Sequence, residues 1–229
     1  MHVRSKIKPV CSLVAGFVLA VTLLGGLQLG DAADGGNDAE AIVDRLQKNY
    51  DSTVDFVADF RQETEVKTLN RSLKAAGELF FKRPGKMLWL YQEPKGQFVL
   101  ADGNHLYFYQ PEQNQVIKSP LKNAFRGDIP LSFLLGLGNL KKDFNASLKR
   151  TEGSQYVLRL EPKGEAGGYG EILMGLDKNS ADIVWVSVRD AANNLTSLRF
   201  SGMRKGIGLK DSQFKVQIPE GADVVELGQ

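Results

Sequence analysis

Residues able to do acid–base or metal chemistry are few and scattered along this sequence. It has two histidines, His2 and His105, and one cysteine, Cys11. His105 follows an Asp102-Gly103-Asn104 turn and opens a short apolar run, so it reads as a lone strand histidine. General-acid or nucleophilic catalysis needs partners within hydrogen-bond reach. No Gly-x-Ser-x-Gly elbow, His-Glu-x-x-His pair or phosphate-cradling glycine loop supplies them. Gly136 and Gly138 lie behind a leucine-rich segment rather than a strand, and read as a helix stop or hinge. Glu161 with Glu165, and Asp177 with Asp182, flank turns and are expected to be solvated charge. No catalytic site, metal or cofactor is expected.

The stronger signal is an excess of apolar side chains. Phe80 and Phe81 are adjacent, and Met87-Leu88-Trp89-Leu90-Tyr91 and Leu106-Tyr107-Phe108-Tyr109 are continuous. A strand with one wet face alternates polar and apolar residues, so these runs have both faces covered or one face lining a cavity. If the Pro84-Gly85 corner keeps register, Leu79, Phe81, Arg83, Met87, Trp89 and Tyr91 share a face. A packed core under helices and a cavity wall both fit that pattern. Arg83 then lies at the rim of the wall, where a guanidinium needs acceptors such as helix-end or loop carbonyls from a cover.

The elements that must position this wall follow from periodicity. Of 229 residues, 42% are hydrophobic and 24% charged, which suits a single globular domain. Arg4, Lys6 and Lys8 precede an uncharged apolar run from Pro9 to Gly30 and the small residues Ala32 and Ala33. That layout predicts a cleaved secretory signal over residues 1–33 and a mature domain over 34–229. Gly25, Gly26 and Gly30 weaken the rival reading of a membrane span. Cys11 lacks a lipidation box before it.

Cleavage removes three of the 29 basic and one of the 27 acidic residues, leaving 26 of each and no cysteine. Disulfides and thiolate catalysis are thereby excluded, and the even balance argues against a nucleic-acid partner.

Ile42, Leu46 and Tyr50 at four-residue steps predict a helix over Asp38–Tyr50. The period then falls to two from Val54 to Phe60. Further strands are predicted at Leu73–Lys82, Lys86–Gln92, Gln97–Ala101, His105–Tyr109 and Gln115–Lys118. More follow at Asn145–Arg150, Gln155–Glu161, Gly168–Asp177, Ile183–Asp190, Leu195–Ser201 and Gln213–Ile218. Strands this short and frequent predict a sheet bent into a barrel or sandwich. Asn123–Leu140 breaks the rhythm, with Pro130 suited to a first helical turn, and predicts one or two short helices over the sheet.

The same residues resemble the LolA family of periplasmic outer-membrane lipoprotein carriers. The match runs from Phe60-Arg61-Gln62 through Gly77-Glu78-Leu79, Lys82-Arg83-Pro84, Trp89 and Pro94 to Asp102-Gly103-Asn104-His105-Leu106 and Tyr109-Gln110-Pro111. It resumes at Phe214 and Pro219-Glu220-Gly221-Ala222-Asp223-Val224, and so covers nearly the whole mature chain. The resemblance implies a mainly β (α+β) fold: an incomplete antiparallel β-barrel of about eleven strands with a helical lid over a hydrophobic cavity. It implies a monomeric, non-enzymatic periplasmic carrier. Its partners would be acylated outer-membrane lipoproteins, an inner-membrane ABC-type lipoprotein-releasing complex and an outer-membrane receptor lipoprotein. In the family the arginine matching Arg83 holds the lid closed over an empty cavity, and Met87 and Trp89 match the wall. Leu131, Phe133 and Leu134 are the lid candidates. Met87 replaces an aromatic found in many relatives, and Asn193-Asn194 stands where the family often has a glycine turn. A lipid-sensing regulatory domain on the same half-barrel is the alternative reading.

Overall fold

A computed structural model of the chain describes residues 35–121, 140–163 and 169–227. The expected leader and the lid candidates Leu131, Phe133 and Leu134 lie outside these residues. The first helix, α1, spans Gly35–Ser52. Ala39, Ile42, Val43, Leu46 and Tyr50 form its stripe, spaced as one helical face requires, and all are buried. A one-turn helix, α2, covers Leu140–Asp143.

Between and after the helices run twelve strands. They are β1 (Asp55–Val66), β2 (Arg71–Lys82), β3 (Lys86–Glu93), β4 (Phe98–Asp102), β5 (His105–Gln110) and β6 (Gln115–Pro120), then β7 (Phe144–Glu152), β8 (Gln155–Pro162), β9 (Tyr169–Asp177), β10 (Ile183–Asp190), β11 (Leu195–Lys205) and β12 (Asp223–Glu226). They form one sheet in the order β12-β6-β5-β4-β3-β2-β1-β11-β10-β9-β8-β7, so among the described residues β12 and β7 are its margins and do not pair to close a barrel.

The sheet must curl. From β4 to β7 it is eight strand spacings wide, about 38 Å if flat at ~4.8 Å per strand. Yet Ala101 of β4 and Phe144 of β7 belong to one buried cluster with Leu46 of α1, a helix only about 10 Å across. The concave face therefore wraps α1.

The turn Arg83-Pro84-Gly85 preserves register: Phe81 pairs with Met87, Leu79 with Trp89 and Gly77 with Tyr91, and the ladder is irregular only beyond Gly77. The expected wall thus shares the concave face, with Leu79, Phe81, Met87 and Trp89 buried. Asn193 takes a left-handed φ of 64°, the conformation its side chain tolerates in place of glycine.

Both faces of the aromatic strands are covered, by different parts of the chain. Leu100, Tyr107 and Val116 form a second cluster on the convex side with Leu88, Phe98, Tyr109, Val216 and Ala222. Here the sequence expectation needs correction. Gln213–Ile218 is not a strand: Asp211–Phe214 is a short 3-10 turn, and the chain then crosses the convex face as an unpaired strap. Its Phe214 is buried. The strap is fastened by the buried carboxylate of Asp55, which accepts the amides of Ile207 (2.8 Å) and Leu209 (3.0 Å). It ends in β12, a strand the sequence reading missed, which pairs parallel to β6.

Candidate functional site

The wall on the concave face is built from interlocked aromatics. Phe60 meets Trp89 edge-on at 4.7 Å and Tyr91 at 5.0 Å, while Phe81 stacks on Phe56 at 5.0 Å and reaches Tyr50 of α1 at 5.7 Å. The Trp89 Nε1–H donates to Met87 Sδ at 2.8 Å, so the indole's polar atom is satisfied inside the wall. Tyr91 is half-buried, and burial pushes its phenol above the ordinary range, partly offset by a hydrogen bond with Gln97. It is a neutral, apolar lining at any physiological pH.

Arg83 leaves the β2–β3 turn at the edge of this wall and ends on α1. Its guanidinium donates to the Tyr50 carbonyl at 2.9 Å and to Asp51 Oδ1 at 3.2 Å, and lies 5.1 Å from the Tyr50 ring centroid. Those acceptors sit in the last turn of the helix, where the partial negative charge of the helix end also favours a cation. Its own amide donates to the Val54 carbonyl at 2.9 Å. Its Nε is buried and, among the described residues, has no hydrogen-bond partner. Helix-end carbonyls are what the sequence reading asked for, and α1 provides one.

A second fastening of α1 was not foreseen. Asn49 Nδ2 donates to Asp182 Oδ1 at 2.9 Å and to the Ala181 carbonyl at 3.1 Å. Its Oδ1 accepts from Lys205 Nζ at 3.0 Å, and Lys205 also pairs with Asp182. Arg45 donates to the Lys178 carbonyl at 2.7 Å. At the other end of the helix, Lys141 of α2 pairs with Glu40 and Asp44. The expectation that Asp177 and Asp182 are merely solvated charge is therefore corrected. Asp182 ties α1 down, and Asp177 accepts the Asn179 and Ser180 amides at 2.9 Å each, which hold its carboxyl below the usual range. Glu161 is an exposed partner of Arg159, and Glu165 lies outside the described residues.

Beneath the C-terminal half of α1 lies an apolar cavity of about 30 Å³, lined chiefly by Leu46, Phe56, Leu79, Ile183, Phe200 and Met203. This is about the volume of one water molecule. A hollow for fatty tails was expected; among the described residues the helix stripe packs on the wall, and a wider opening of about 450 Å³ lies between α1, α2 and β7, lined in part by Val43, Leu140, Phe144 and Ala146.

His105 is half-buried, 6.1 Å from the Tyr107 ring. The neighbouring Asp102 carboxylate is committed to the turn: it accepts the Asn104 and His105 amides at 2.7 and 2.8 Å and the Tyr107 hydroxyl at 3.3 Å. Among the described residues no group of three or more His, Cys, Asp or Glu could hold a metal ion, and no helix is long and apolar enough to cross a membrane.

A curled open sheet, aromatic on its concave side and plugged by an amphipathic helix on polar fastenings, defines the class of open half-barrels. A family model described as outer membrane lipoprotein carrier protein LolA matches residues 51–217, and the chain belongs to this family. It is 33% identical over 190 residues to the outer-membrane lipoprotein carrier protein of Cupriavidus pinatubonensis, covering 81% of this chain and 88% of that one. It is 31% identical over 182 residues to the protein of the same name from Methylococcus capsulatus, covering 80% and 86%. Among solved structures, an uncharacterized conserved protein from Thermus thermophilus superposes with a TM-score of 0.53 at 14% identity. That match covers 82% of this chain and 98% of the other, and shows the fold alone.

Proposed function

We propose that this chain is a periplasmic carrier that shelters the acyl chains of outer-membrane lipoproteins, accepting them from an inner-membrane releasing complex and passing them to an outer-membrane receptor. The observation that carries the reading is the seat of α1: an apolar stripe packed on an aromatic wall, fixed at its borders by hydrogen bonds and partly exposed ion pairs. Acyl chains can replace that stripe without changing the chemistry of the wall. Each methylene taken from water contributes about 0.8 kcal/mol, so a few chains supply enough to displace a helix.

Contacts between α1 and the sheet compete with cargo and keep net affinity moderate, so that a receptor can win it. No bond is made or broken in this cycle, and no catalytic group is required. Arg83 is the latch of the empty state and Leu79, Phe81, Met87, Trp89 and Tyr91 the wall. The leader expected over residues 1–33 supports the periplasmic assignment.

Mass spectrometry of the protein purified from the periplasm tests the reading. Triacylated peptides are the expected cargo, whereas free phospholipid alone would replace the carrier by a lipid sensor. In a transfer assay, Arg83→Leu should retain cargo and deliver it more slowly. Delivery at the parent rate would remove Arg83 from the mechanism.

A further inference from the structure

Resting on the carrier reading, we propose that cargo enters under Asn49, between α1 and the β10–β11 lip, and that Asn49, Asp182 and Lys205 form the gate of that mouth. The apolar cavity beneath α1 lies on this side, and its lining includes these three residues beside Leu46, Ile183 and Met203. They come from three separate elements: the helix, the turn before β10 and the end of β11. Their polar atoms bond chiefly to one another, Asn49 to Asp182 and Lys205, and Lys205 to Asp182. A polar rim satisfied within itself closes an apolar space and, among the described residues, leaves the helix without a main-chain tie to β11.

The Arg83 side differs in the two respects that matter for an opening. There the latch grips the main chain of α1, at the Tyr50 carbonyl, and the Phe81, Phe56 and Tyr50 rings fill the space behind it. On the Asn49 side the closing groups bond mostly side chain to side chain, with one bond from Asn49 to the Ala181 carbonyl, and Lys205 and Asp182 keep 32% and 24% of their side-chain surface in water. Partly exposed charges of this kind are screened by salt and separate readily. When they part, Met203 and Ile183 become the first apolar surface that an entering chain meets. The Arg83 latch then holds the far side, and the triad is the edge that parts first.

The test is binding of the uncharged fluorophore N-phenyl-1-naphthylamine to the full purified protein. Asp182→Asn and Lys205→Met should each raise affinity for the probe by up to about fivefold, as loss of one partly exposed ion pair predicts. Lys149→Ala, which breaks the Lys149–Glu171 pair elsewhere on the sheet, should change nothing. Met203→Trp should fill the cavity and abolish binding. Added salt should raise the affinity of the parent and have little effect on Lys205→Met, a comparison that stands even if one substitution unfolds the protein.

Two outcomes separate this gate from the reading beneath it. If Arg83→Leu takes up the probe while Asp182→Asn and Lys205→Met bind as the parent does, the mouth is elsewhere and the carrier stands. If neither the parent nor any variant binds the probe, the carrier reading falls and the gate with it.

Discussion

Arg83 brings a charge to the border of a wall made by Leu79, Phe81, Met87 and Trp89 and places it on the end of α1. One guanidinium nitrogen, Nη2, meets both the Tyr50 carbonyl and Asp51, while the planar group lies 5.1 Å from the Tyr50 ring, a stacking that lysine cannot copy. Arg83→Lys should therefore fall between the parent and Arg83→Leu in a transfer assay, although the charge is unchanged. Gly77 makes a different demand. A β-carbon there would lie 2.0 Å from the Leu90 carbonyl oxygen and 3.0 Å from the Phe60 ring. Gly77→Ala should cost about 1 to 3 kcal/mol by forcing β2 and β3 apart, read as a lower urea midpoint. The wall was legible in the sequence because a period of two survives a turn that pairs Lys82 with Lys86. The need of Arg83 for an acceptor followed from its apolar neighbours. Asp182 was not legible, since its partner Asn49 lies 133 positions away and a carboxylate beside a turn looks solvated from sequence.

Elements were read well where burial on one side imposes a period, and badly where it does not. Gln213, Phe214, Lys215, Val216, Gln217 and Ile218 alternate as a strand does. The alternation arises because one side of an extended strap lies on the convex face, with no ladder partner needed. Exposed Val224 and Val225 carry no alternation at all, so β12 left no trace. The strap also has a pH dependence. Asp211 is held at about 2, against an ordinary 3.8, by hydrogen bonds from Lys82 and then Lys86. A lowered carboxylate contributes stability that is present above pH 3.8 and is lost as the pH falls through about 2. The parent and Asp211→Asn should therefore differ above pH 4 and converge near pH 2, with hydrogen exchange at the Leu88 and Leu100 amides as the measure. In α1, Leu46→Ala should destabilise the fold by about 2 to 5 kcal/mol, because Leu46 is fully buried against the sheet. It should also speed exchange of the α1 amides more than those of β1 and β2, since helix docking alone depends on it.

For the molecule as a whole, one helix and one strap divide the sheet between them. The concave side is plugged by a segment on polar fastenings, and the convex side is sealed by one that is knitted into the sheet through β12. Asp55 touches both arrangements: it opens β1 behind α1 and holds the Ile207 and Leu209 amides. Asp55→Ala should therefore loosen the whole fold and lower the thermal midpoint, whereas Arg83→Leu should change ligand handling with little effect on that midpoint. The separation of β12 from β7 has one more consequence. In a sealed barrel the bore is set by strand number and stagger, and widening it means breaking ladder bonds. Here the two margins are not stitched to each other, so the trough can broaden by uncurling and every strand keeps its neighbours. Girth becomes adjustable, and on the proposed carrier function tails of unequal length and number would fit a single receptacle.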